Sequence, residues 1–110
     1  MKVEQKGHTT ILKDSQGELN SFIEKVLENY HFFKGQNIIL DFSRLNNIQK
    51  ADLKSFNELL SQQKKNKKSL VIVSEGLDYN DIPEKYNVVP SLLEAHDLIE
   101  MDEIERDLGF

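Results

Sequence analysis

The chain has 110 residues, no cysteine and a formal net charge of −5. That length makes one domain with a modest core, the lack of thiols excludes disulfide and thiolate chemistry, and the acidic balance disfavours nonspecific nucleic-acid binding, which needs a basic surface. No apolar run is long enough to span a bilayer, and Met1 to Lys6 lacks the apolar core of a signal peptide, so a cytoplasmic protein with no membrane partner is expected.

Residues 2 to 14 read as one strand or a short hairpin. Val3 and Gln5, then Thr9, Ile11 and Lys13, alternate weakly about Gly7, which can supply a turn. Ser15 and Glu18 have capping-box spacing. Leu19, Phe22, Ile23, Val26, Leu27 and Tyr30 recur at helical spacing and predict an amphipathic helix from Glu18 to about Phe32, with Gly35 as its breaker. Asn37-Ile38-Ile39-Leu40 is apolar without alternation, which suits a strand covered on both faces. A polar loop around Leu45 and Ile48 leads into a helix over Lys50 to Lys64, with Leu53, Phe56, Leu59 and Leu60 as its stripe.

Leu70 to Ser74 is a second apolar strand, so strand, helix and strand make a βαβ unit. Glu75 to Glu84 holds Gly76 and Pro83 and reads as a loop with at most one helical turn. Asn87-Val88-Val89 is a short last strand. Ser91 and Glu94 form a second capping box, and Leu92, Ala95, Leu98 and Ile99 mark the last helix. The segment 101–110 either continues that helix or restarts near Asp102. Its acids Glu100, Asp102, Glu103, Glu105 and Asp107 flank Met101, Ile104 and Leu108. Two readings stand side by side: an amphipathic helix end packed on the sheet, and a docking surface for a basic partner.

Isolated chemistry-bearing residues are weak signals here. His96 and Glu100 share a helix face at i, i+4, a spacing that is ordinarily a solvated surface. His8 has no acid or nucleophile nearby in sequence, and His31 falls at a helix C-terminus, where it is favourably placed against the dipole. Lys64, Lys65, Lys67 and Lys68 offer a phosphate or nucleic-acid contact, but they lack interleaved aromatics and sit at a helix end, where positive charge is favourable and a solvated surface is the reading taken. No nucleophile elbow, phosphate loop or metal spacing is present, so neither catalytic residues nor a cofactor nor a metal is expected.

The order of elements, with Leu40-Asp41-Phe42-Ser43 ending a strand before the central helix, resembles the STAS domain family of anti-sigma factor antagonists and sulfate-transporter domains. Leu45 and Ile48 match the hydrophobic lead into that family's phosphorylation loop, and Val88 to Leu98, with Leu92 and Ala95, matches its closing strand and helix. The resemblance implies a single α/β domain over residues 1–110 with an acidic helical tail, 101–110. It implies a sheet of about four strands, mainly parallel, with helices packed on one side. It also implies a protein-interaction module rather than an enzyme, with the start of the central helix facing the partner at Asn47, Gln49, Lys50, Ala51, Asp52 and Lys54. Regulated members carry Asp-Ser-Ser/Thr-Gly-Leu at this loop. Here Ala51 stands in place of the phosphorylated serine and Asp52 in place of the glycine, so no phosphorylation switch is expected.

The stretch Leu92 to Asp97 and the tail Glu103 to Phe110 also resemble short bacterial chains labelled ribonuclease Z. That likeness carries the alternative, an RNA-processing protein or accessory. A zinc nuclease of that class needs an HxHxDH cluster, and the three histidines here, His8, His31 and His96, are scattered. A third possibility is a small ligand at the carboxyl ends of the strands, where Asp41, Ser43 and Ser74 fall.

Overall fold

A computed structural model describes residues 1–13, 18–43 and 48–109. The Ser15 cap, Leu45, Asn47 and Phe110 therefore lie outside the described residues. Strands β1 (Lys2–Lys6), β2 (Thr9–Lys13), β3 (Asn37–Asp41), β4 (Leu70–Val73) and β5 (Asn87–Val89) form one sheet in the order β1-β2-β3-β4-β5. β1 and β2 are antiparallel, and every later pair is parallel. The protein is thus α/β with a mostly parallel mixed sheet of five strands rather than four. The additional strand is β1, paired through a two-residue turn at Gly7 and His8, where Lys6 faces Thr9. Gly7 has φ +60°, which suits the first central position of a tight hairpin turn.

Helices α1 (Leu19–Glu28) and α2 (Tyr30–Phe33) follow β2. The single predicted helix is therefore interrupted at Asn29, whose Nδ2 donates to the Lys25 carbonyl at 2.8 Å. After β3 comes a 3-10 helix, Lys50–Phe56, continuous with α3 (Asn57–Lys65). Lys67 then takes φ 58°, and the amides of Lys67 and Lys68 donate to the carbonyls of Lys64 and Gln63. This is a Schellman ending with lysine where glycine is usual. The segment between β4 and β5 contains one short turn, Tyr79–Asp81, as the sequence suggests. The last helix, α4 (Leu92–Asp107), is continuous through Asp102, and Ser91 Oγ accepts the Glu94 amide at 3.2 Å.

Two cores lie on opposite faces of the sheet. Leu12, Ile38, Leu40 and Ile72 meet Phe22, Val26, Leu53 and Phe56 on one face. Ile11, Ile39, Val71 and Val73 meet Ala95 and Ile99 on the other. The expectation of helices on one side is therefore corrected, since α4 covers the second face. The physical reason lies in the strands. An Ile-Ile-Leu run places apolar side chains on both faces, and each face needs its own cover. On the first face the rings of Phe22, Phe42 and Phe56 form a tilted series, with centroids 5.3 and 5.8 Å apart. Phe42 thereby links the central helix, at Phe56, to α1.

The second half of α4 packs by different means. Asn37 is buried, and its Nδ2 donates to Glu103 Oε1 at 2.6 Å. Asn37 Oδ1 accepts the Ser69 amide at 2.9 Å and Arg106 Nη2 at 3.3 Å. Ser69 Oγ donates to Asp102 at 2.8 Å and accepts from Arg106 Nη1 at 3.1 Å. Asp102, Glu103 and Arg106 therefore grip the amino ends of β3 and β4. Met101, Ile104 and Leu108 are left outside, 62%, 52% and 66% exposed. In this stretch the usual polarity of a surface helix is inverted.

Candidate functional site

The 3-10 helix at Lys50 is built by a local clasp. The Gln49 amide donates to Asp52 Oδ2 at 2.9 Å, and the Asp52 amide donates to the Gln49 carbonyl at 2.9 Å. Ile48 and Leu53 are buried and hold this turn against the core. Asp52 is thus occupied in shaping the helix start. Gln49, Lys50, Ala51 and Lys54 are exposed. Of the positions anticipated as partner-facing, Lys50, Ala51 and Lys54 line one cleft, with Leu53 at its base.

The opposite wall comes from a segment far downstream. Pro83, Lys85 and Tyr86 close a cleft of about 540 Å³. Tyr86 is buried and its hydroxyl donates to Asn57 Oδ1, which ties this segment to α3. Lys85 Nζ lies 5.0 Å from the Tyr86 ring centroid, within cation–π range. The result is a largely apolar floor of Leu53, Ala51, Pro83 and the Tyr86 ring, rimmed by three ammonium groups. Sequence reasoning missed Pro83, Lys85 and Tyr86. They sit in a stretch without periodicity, and only folding brings them to the central helix.

The strand-end residues have internal duties. Asp41 is buried; its Oδ1 accepts the Ser43 amide at 2.9 Å, and its Oδ2 lies 3.4 Å from Lys13 Nζ. Ser74 is also buried, and its carbonyl accepts the Tyr79 hydroxyl at 2.5 Å. Burial pushes the Tyr79 phenol above its ordinary pKa, with the carboxylates of Glu94 and Glu75 adding to the shift. Asp41 is thus sealed by its own neighbours, whereas the buried Ser74 Oγ has no hydrogen-bond partner among the described residues.

Two of the three histidines, distant in sequence, come together in space. His8, His96, Glu100 and Glu103 border a depression of about 270 Å³. Among the described residues, no group of three or more His, Asp or Glu side chains is arranged to hold a metal ion. The lysine cluster ends α3, where Lys65 borders a smaller depression with Lys34 and His31. No helix among the described residues is long and apolar enough to cross a membrane.

A cleft with an apolar floor and a cationic rim suits an acidic segment that carries one or two apolar anchors. The floor excludes water from the anchor, and the lysines attract and orient the acids. No family model and no curated protein matches this chain.

Proposed function

We propose that this chain is a protein-interaction module of STAS-like type, without enzymatic activity, that docks an acidic partner segment in the cleft between Lys50 and Lys85. One observation carries the reading. Lys50, Ala51 and Lys54, at the helix start that faces the partner in STAS-like domains, meet Lys85 and the Tyr86 ring around one apolar floor. The mostly parallel sheet, and the strand end Leu40-Asp41-Phe42-Ser43 leading to that helix, are consistent with the same reading. Ala51 carries no hydroxyl, so docking in this reading is constitutive.

The test is affinity capture from native cytoplasm with the wild type and with Lys50→Glu plus Lys54→Glu. The double reversal is expected to lose the captured partners while its thermal midpoint stays nearly unchanged, since exposed substitutions shift stability by about 0.5 kcal/mol or less. Capture of the same proteins by both forms sinks the site. A serine kinase of the antagonist-partner type, supplied with ATP, should leave the intact mass unchanged. A gain of one phosphate on residues 49 to 55 refutes constitutive docking.

A further inference from the structure

The inverted half of α4 and the lysine-rimmed cleft are complementary surfaces on one molecule. At about 100° per residue, Leu93, Met101, Ile104 and Leu108 fall within about 80° of the helix circumference. Leu93 is 72% exposed, and the other three are more than half exposed. These four large apolar side chains form a stripe on the side of α4 facing away from the sheet. Glu94 and Glu105 border it on one side and Glu100 and Asp107 on the other, with Asp97 at its middle; all five acids are exposed. The only lysine or arginine of α4, Arg106, is turned inward to Ser69 and Asn37.

An exposed apolar stripe of this kind marks a contact surface. Its charge restricts what can cover it. Two α4 stripes packed on each other would set acid against acid, which disfavours a symmetric pairing. A cover must bring an apolar surface rimmed by cations. The cleft at Lys50, Lys54 and Lys85 has that chemistry, with Leu53 and Tyr86 as its floor. A molecule cannot fill its own cleft in this way. Leu53 and Tyr86 belong to the core on one face of the sheet, while α4 is clamped to the other.

We propose that the α4 stripe of one copy docks in the lysine cleft of a second copy, giving a head-to-tail contact. This rests on the cleft being a protein-docking surface, as proposed above. A head-to-tail contact uses two different surfaces, so every added copy leaves one cleft and one stripe open. Assembly therefore continues as an open chain or closes as a ring.

Sedimentation velocity of the full chain tests this with two variants, a cleft variant (Lys50→Glu with Lys54→Glu) and a stripe variant (Met101→Gln with Ile104→Gln). Thermal melts confirm that both are folded, and Leu93→Gln with Leu108→Gln gives an independent stripe variant. The wild type is expected to associate with rising concentration, and less so at high salt. Each variant alone should self-associate at least about tenfold more weakly. Mixed together, the two should form a one-to-one heterodimer and nothing larger, because the mixture holds one intact cleft facing one intact stripe. A monomeric wild type at all concentrations overturns the proposal. So does a cleft variant that associates like the wild type, since α4 would then pair with itself, and so does a mixture that forms no complex. Because the purified chain alone is measured, these outcomes are independent of whether a partner is captured from cytoplasm.

Discussion

Replacing Asn37 with alanine should be among the most damaging single changes in this protein, although the residue is polar and outside the two apolar clusters. Its side chain makes three hydrogen bonds: to Glu103 at 2.6 Å, to the Ser69 amide at 2.9 Å and to Arg106 at 3.3 Å. Asn37→Ala leaves the Ser69 amide buried beside a methyl group, at a cost of about 1–3 kcal/mol. The half-buried Glu103 and Arg106 can turn toward water, so their share is smaller, about 1 kcal/mol together. The expected loss is about 2–4 kcal/mol, a large part of the roughly 5–15 kcal/mol that stabilises a native domain. Urea unfolding followed by circular dichroism should show a lowered midpoint with an unchanged slope, and the melting temperature should fall by about 10 °C. Combining Asn37→Ala with Glu103→Ala in a double-mutant cycle should give a coupling energy of about 1 kcal/mol or more. By contrast, Met101→Gln on the outer side of the same turn should change stability by about 0.5 kcal/mol or less. If Asn37→Ala costs less than about 0.5 kcal/mol, or if Met101→Gln costs more than Asn37→Ala, then α4 is not held by this polar clamp and the reasoning fails.

Lys67→Gly should raise stability by about 0.5–1 kcal/mol, because a lysine at φ 58° bears the left-handed penalty that glycine lacks; a lowered urea midpoint would contradict the Schellman ending. Tyr79 predicts a pH dependence: its folded pKa lies above the unfolded value, so the native state holds this proton more tightly and the associated stability is lost as pH rises through and beyond the ordinary phenol range. Tyr79→Phe should lose the bond to the Ser74 carbonyl, about 1 kcal/mol at neutral pH, and should show a shallower alkaline decline; parallel declines for the two proteins would rule Tyr79 out as the titrating group.

The parts of the fold legible in the sequence are those where one periodicity dominates. β3 and β4 stand out because their residues are buried on both faces, leaving no polar alternation. α1 stands out because Phe22, Ile23 and Val26 form one stripe. The same apolar runs imply a layer on each side of the sheet, whereas the STAS resemblance implies helices packed on one side. The break at Asn29 and the 3-10 start at Lys50 arise from local hydrogen bonds of Asn29 and Asp52, which carry no periodic signal. Gln63 is fully buried near the end of a polar helix. Its Nε2 donates to the carbonyls of Gln36 and Ser69 at 3.0 and 2.9 Å, and its Oε1 accepts the Tyr30 hydroxyl at 2.6 Å. Its place at i+7 from Phe56, i+4 from Leu59 and i+3 from Leu60 continues the apolar stripe and separates it from the exposed Gln62, but its polarity masks that signal. At the candidate site, Lys50, Ala51 and Lys54 were legible through a resemblance. Lys85 and Tyr86 join them only through a tertiary contact between Tyr86 and Asn57.

The order of the sheet follows the order of the chain, each strand lying beside the one made just before it. A polypeptide emerging from a ribosome can therefore add strands one at a time, with no later strand inserted between two earlier ones. The clamp on α4 is the exception. Its bond between Asn37 and Glu103 joins residues 66 apart, and that between Asn37 and Arg106 residues 69 apart. Until α4 has been made, Ile39, Val71 and Val73 remain uncovered on one face of the sheet. For that interval the nascent domain is a two-layer structure with an exposed apolar sheet, the form in which a chaperone would meet it and in which aggregation is most favourable.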